Sequence, residues 1–97
     1  MDNRPIGVFD SGLGGLTVVR QLLRQLPGED ICYFGDTGRV PYGSRSKEII
    51  AKYARQDCRF LMGMDVKMII AACGTVSSTA PGVLERLPVP ACGVVEP

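Results

Sequence analysis

Short apolar runs alternate with amphipathic stretches along the whole chain. Pro5 to Phe9 is a continuous apolar run that ends at Asp10-Ser11-Gly12-Leu13-Gly14-Gly15. Behind those glycines Leu16, Val19, Leu22, Leu23 and Leu26 recur at helical spacing until Pro27-Gly28 stops them. The pattern predicts a buried strand, a Gly-rich turn and a helix. Asp30 to Phe34 predicts a second strand, and Gly35 to Ser44 is too rich in Gly and Pro to be regular. That loop is ten residues long, beyond the usual two to six or so for a strand-to-helix connection, which suggests a binding loop. Ser46 is placed to cap a second helix running to about Met64, with Ile50, Tyr53, Ala54, Cys58 and Leu61 on one face and charges on the other. Met68 to Ala72 predicts a third strand. A third helix is expected from about Ser77, with Ser77 or Thr75 as its cap, to Leu87, where Pro88 and Pro90 end it; Pro81 should shift its start or kink it. Ala91 to Val95 predicts a fourth strand.

Strands and helices alternating at this spacing imply an α/β fold: a four-stranded parallel sheet with helices on both faces, a flavodoxin-like half. With strand order 2-1-3-4, the chain reverses direction between strands 1 and 3. A crevice opens there at the carboxyl ends, the place where such sheets bind ligands. Asp10 and Cys73 are expected to face each other across it.

Composition narrows the function classes. Ninety-seven residues at 45% hydrophobic content and a mean hydropathy of +0.13 suffice for one folded domain. Eleven basic against ten acidic residues leave a net charge of +1, so no overall field favours nucleic acid or an acidic membrane surface. Four cysteines without a CxxC spacing, and no histidine, provide neither a zinc-site pattern nor a disulfide framework. Reduced thiols in the cytoplasm fit this usage. The start, MDNRPIGVF, lacks the apolar stretch of a signal peptide, and no run reaches the ~20 residues of a membrane span.

The candidate chemistry centres on Met68 to Ser78, MIIAACGTVSS. Cys73 is expected at the carboxyl end of a strand and the amino end of a helix, where unpaired N–H groups favour a thiolate. The plainer alternative is a buried cysteine acting as a small hydrophobe, the reading given to Cys32, Cys58 and Cys92. Gly12 and Gly14 supply two glycines of a dinucleotide fingerprint, with Asp36 at passable spacing for a ribose acid, but Thr17 stands at the third glycine's place. No Gly-Lys-Ser/Thr occurs, which excludes a P-loop. Asp10 and Ser11 suit the ammonium group of a small ligand. Backbone N–H groups around Gly43, with a hydroxyl nearby, can hold its carboxylate, although Pro41 to Arg45 can equally be a structural turn.

Taken in order, Ile6-Gly7-Val8-Phe9-Asp10-Ser11-Gly12-Leu13-Gly14-Gly15, Gly35-Asp36-Thr37 with Pro41-Tyr42-Gly43, and Ala72-Cys73-Gly74-Thr75 resemble the amino-terminal part of the glutamate racemase family. The resemblance covers essentially all 97 residues. It implies interconversion of L- and D-glutamate without pyridoxal phosphate, metal or other cofactor, supplying D-glutamate for the bacterial cell wall. Cys73 would be one of two catalytic cysteines and Asp10 would tune or orient it. Asp10, Ser11, Tyr42, Gly43, Gly74 and Thr75 would hold the substrate. The family is expected to act as a homodimer in the cytoplasm, with glutamate its partner and neither nucleic acid nor membrane involved. Gly74 departs from the family, which commonly has Asn there. Residues 1–97 correspond to the first domain, and the second domain, its cysteine and a carboxyl-terminal return of the chain are expected after Pro97. Two rivals stand beside this reading: an aspartate racemase of the same superfamily, and a non-catalytic module that binds an amino acid.

Overall fold

The computed structural model describes residues 2–10, 15–39 and 45–93. Four strands, β1 (Ile6–Asp10), β2 (Ile31–Gly35), β3 (Met68–Ala71) and β4 (Ala91–Gly93), form one parallel sheet in the order β2-β1-β3-β4. The expected order 2-1-3-4 is therefore the observed one. Register pairs Phe9 with Phe34 on one side and with Ala71 on the other. The fourth strand is described as far as Gly93; Val94 and Val95 lie outside the described residues.

Helix α1 (Leu16–Gln25) connects β1 to β2, and α2 (Lys47–Gly63) connects β2 to β3. These crossovers run in opposite directions along the sheet. Right-handed connections therefore place the two helices on opposite faces. Pleat alternation assigns the residues of β1 accordingly. A Cβ on Gly7 would meet Leu61 and Val66, whereas one on Gly15, at the head of α1, would meet Asp10 and Ala72. Ser46 caps α2 as expected, its Oγ accepting from the Ile49 N–H at 3.3 Å. The inner face of α2, Ile50, Ala54, Cys58 and Leu61, packs with Phe9, Val66, Ile69 and Ala71 in the main core. Among the described residues no helix is long and apolar enough to cross a membrane.

Three expectations need correction. The single third helix is two, α3 (Gly74–Thr79) and α4 (Pro81–Glu85), separated by Ala80 at φ −134°. Pro81 has no N–H to continue α3 and its ring disfavours helical backbone at the residue before it, so it begins a new helix instead. The cap is neither Ser77 nor Thr75: Cys73 is the N-cap, with extended backbone, and the helix starts at Gly74. Cys92 is exposed rather than buried, because β4 ends the sheet and Cys92 alternates outward between Ala91 and Gly93. Cys58 is buried as read, and Cys32 is half-buried.

Helix α1 contains no buried residue. Its apolar stripe is only partly covered by the sheet: Leu16, Leu23 and Leu26 are 48%, 50% and 44% exposed.

Candidate active site

The two residues singled out for chemistry end adjacent strands at one edge of the sheet. Asp10 closes β1, and the Ala72 N–H donates to the Phe9 carbonyl at 2.8 Å, carrying the pairing of β1 and β3 one step past Ala71. Asp10 thus lies level with Ala72, and Cys73 follows one residue beyond. This edge is the point of strand-order reversal.

Asp10 is only 6% exposed. A buried carboxylate needs hydrogen bonds, and it accepts one from the Gly15 N–H at the start of α1. Its carbonyl accepts from the Asp36 N–H at 2.8 Å. Gly15 is required here for room, since a Cβ would stand 2.9 Å from the Asp10 Cβ and 3.1 Å from the Ala72 Cβ. The Gly-rich turn thus has at least one glycine that lets the chain approach the strand end. Gly12 and Gly14, and with them the dinucleotide fingerprint, lie outside the described residues.

Cys73 is buried and joins the cluster of Phe9, Ala71 and Val76. As N-cap of α3 it occupies a position where Ser, Thr, Asp or Asn would accept from the first turn, yet its side chain makes no capping bond. Its carbonyl is held by the Ser77 N–H at 3.1 Å and the Ser77 Oγ–H at 3.0 Å. Gly74 and Thr75, the first two residues of α3, are half-buried beside it, with the Gly74 carbonyl accepting from Ser78 Oγ at 2.9 Å. Ser11, Tyr42 and Gly43 lie outside the described residues, as does the second half of the second loop, residues 40–44. Asp36 is buried at the same edge, and Thr37–Arg39 form a 3-10 turn after it.

Tyr33 was not among the sequence candidates. It pairs with Val8 across β1 and β2, which puts it on the Asp10 face of the sheet. Burial and, secondarily, the negative charge of Asp10 raise its phenol pKa above the ordinary 10.0. Period-two alternation would have found it once β1 and β2 were set in register. Cys58 behaves as a structural thiol: burial first, and then neighbouring Asp57, push its pKa up to about 12. Among the described residues no three His, Cys, Asp or Glu side chains cluster as metal ligands.

An open parallel sheet with a buried carboxylate and a buried cysteine at its switch point is an α/β domain of the kind that takes a small ligand at its carboxyl edge. No protein-family model matches the chain. Individual relatives do. It is 54% identical over 98 aligned positions to a glutamate racemase of Lactococcus lactis subsp. lactis (strain IL1403), a match covering 100% of this chain and 36% of that protein. A glutamate racemase of Streptococcus sanguinis (strain SK36) is 53% identical over the same span, 37% of its length. Among solved structures, glutamate racemase from Francisella tularensis in complex with D-glutamate superposes with a TM-score of 0.90 at 49% identity, over 96% of this chain and 36% of that one. The Thermus thermophilus enzyme in complex with beta-chloro-D-alanine gives 0.89 at 49%, over 97% and 37%. Over essentially its whole length the chain matches the amino-terminal part of glutamate racemases, and it spans little more than a third of those relatives' length.

Proposed function

We propose that residues 1–97 form the first α/β domain of a glutamate racemase and contribute one of its two bases. The observation that carries this is the convergence of buried Asp10 and Cys73 on the carboxyl edge at the strand-order reversal. The names of the relatives supply the substrate.

In this reading the Cys73 thiolate removes the α-proton of one glutamate enantiomer. The C–H bond breaks, an S–H bond forms, and the electron pair is delocalised into the α-carboxyl group. A thiol on the opposite face, from a second domain, returns a proton to the same carbon, and the roles reverse for the other enantiomer. A closed site strengthens the interactions around the developing carbanion. Sulfur and carbon exchange the proton directly, and the resemblance to the family implies that neither pyridoxal phosphate nor metal takes part. Asp10, anchored by Gly15, orients the thiol. Ser11 and Asp10 receive the ammonium group, and Tyr42, Gly43, Gly74 and Thr75 receive the carboxylates. Gly74 lacks the amide side chain common in the family; its backbone N–H, in the unpaired first turn of α3, takes over the contact. The product D-glutamate serves peptidoglycan synthesis and so cell shape, in the cytoplasm, with the full-length enzyme a homodimer.

The test is Cys73→Ser in the full-length protein. A hydroxyl at the N-cap can accept from the first turn of α3, so the variant should be no less stable than the parent. An alcohol is a far weaker acid than a thiol, so racemization should collapse, and exchange of the α-hydrogen with deuterated solvent should be lost for the enantiomer that Cys73 deprotonates while the opposite thiol still exchanges the other. Substantial residual racemization overturns the role of Cys73. Full activity from the 97-residue chain alone, which holds one placed base, would defeat the two-base reading.

A further inference from the structure

Away from the carboxyl edge, α2 and α4 enclose a cavity of about 230 Å³ lined by Arg55, Arg59, Met62, Val83, Arg86 and Leu87. A second of about 320 Å³ shares Arg55, Val83 and Arg86 and continues the groove to Lys47. Together they fall in the size range of small-ligand sites. Among the described residues, neither is lined by an acidic one.

We propose that this groove binds an organic phosphate with an apolar or aromatic body. Three guanidinium groups converge on it, all three residues are exposed, and among the described residues none has a salt-bridge partner. Arg55 and Arg59 stand four apart on α2, a like-charge spacing that weakens a helix. An anion between them turns that repulsion into attraction. Guanidinium forks match phosphate oxygens in pairs, which a lysine cannot do. The floor is of a different character: Met62, Val83 and Leu87 are half-buried and packed against the main core, so they present a fixed apolar surface. A bare anion would leave that floor unused, and a neutral apolar molecule would leave the arginines unpaired. The chain's net charge of +1 does not produce this concentration of cations; their placement does.

The test uses the intact protein at low ionic strength, titrated calorimetrically with 1-naphthyl phosphate, inorganic phosphate and 1-naphthol. The naphthyl phosphate should bind saturably, about tenfold or more tighter than either half-ligand. Arg59→Gln and Arg86→Gln should each weaken it about tenfold, the share of a charge-assisted hydrogen bond, while Arg20→Gln on α1 should leave it unchanged. The replaced side chains are exposed, and circular dichroism checks that the fold is kept. Absence of saturable binding overturns the proposal. Equal affinity for either half-ligand, or binding indifferent to both arginine variants, does so too.

Discussion

Replacing Gly15 with alanine tests whether the close approach of α1 to β1 is what fixes Asp10. Gly15 has φ −67° and ψ −11°, ordinary right-handed backbone that alanine adopts freely, so the perturbation is purely steric. The new methyl would stand 2.9 Å from the Asp10 Cβ, 3.1 Å from the Ala72 Cβ and 3.1 Å from the Asp10 Oδ2. Carbon atoms pack at about 3.5–4.0 Å, so about 0.6 Å must be found. Neither Cβ can rotate away. Both are bonded to backbone held in the sheet, through the Asp36 N–H to Asp10 carbonyl and Ala72 N–H to Phe9 carbonyl bonds, each 2.8 Å. The helix start must retreat, which lengthens the hydrogen bond from the Gly15 N–H to the Asp10 carboxylate. Overpacking of this kind costs about 1–3 kcal/mol, and a charge-assisted hydrogen bond contributes about 1.5–3 kcal/mol when wholly lost.

A net destabilisation of about 2 kcal/mol is therefore expected, read as a lower urea midpoint at unchanged slope. Racemization by the full-length protein should fall as well, because the displaced group is Asp10. The control is Gly63→Ala at the end of α2, where a Cβ meets nothing within 4 Å. It should gain about 0.5–1 kcal/mol from helix propensity alone. If Gly15→Ala matches the parent within about 0.5 kcal/mol and turns over normally, the steric account of the Gly-rich turn is wrong.

Three further outcomes follow from the same structure. Asp10→Asn keeps shape and loses charge; turnover should drop more than stability and the phenol pKa of Tyr33 should fall toward its ordinary value, and an unchanged turnover removes Asp10 from the chemistry. Cys58, raised from 9.0 to about 12, makes the folded state hold one more proton than the unfolded state between those pH values. Stability should thus be intact below pH 9 and decline above it by at most about 1.4 kcal/mol per pH unit, a slope that Cys58→Ala abolishes; thiol labelling should reach exposed Cys92 well before Cys58. Asp65, just past α2, has φ +58°, so Asp65→Gly should raise the urea midpoint by about 1 kcal/mol equivalent, its exposed 3.6 Å pair with Arg4 being worth little.

What was legible in the sequence was whatever a period or a punctuating residue encodes. Apolar runs four or five residues long, separated by helix-length stretches, leave little choice but parallel crossovers, and the expected order 2-1-3-4 is the one observed. Ser46 announced α2 because a serine before a helical period has one common structural use. Properties that depend on where an element stands among its neighbours were not legible. Cys92 sits in an apolar run like that of Cys32, and only the sheet's edge makes it exposed. The leucines of α1 have the spacing of a buried stripe, yet this chain's sheet covers only part of it.

The start of α3 is a different kind of miss. Capping preference favours Ser77 or Thr75 over Cys73, and preference was the wrong guide because the residue at the cap is not the one that best stabilises a helix there. Ser77 instead sits one turn in, its hydroxyl turned back onto the Cys73 carbonyl. Gly93 of β4 approaches Ser77 so closely that a Cβ on it would stand 2.7 Å from the Ser77 Cβ, which fixes that turn against the sheet. The chain thus invests packing in holding a helix start whose cap side chain makes no capping bond. Local rules fail where a residue is selected for something other than stability. The failure of the capping rule at Cys73, beside a buried carboxylate on the neighbouring strand, is the physical reason to look for its use in proton transfer.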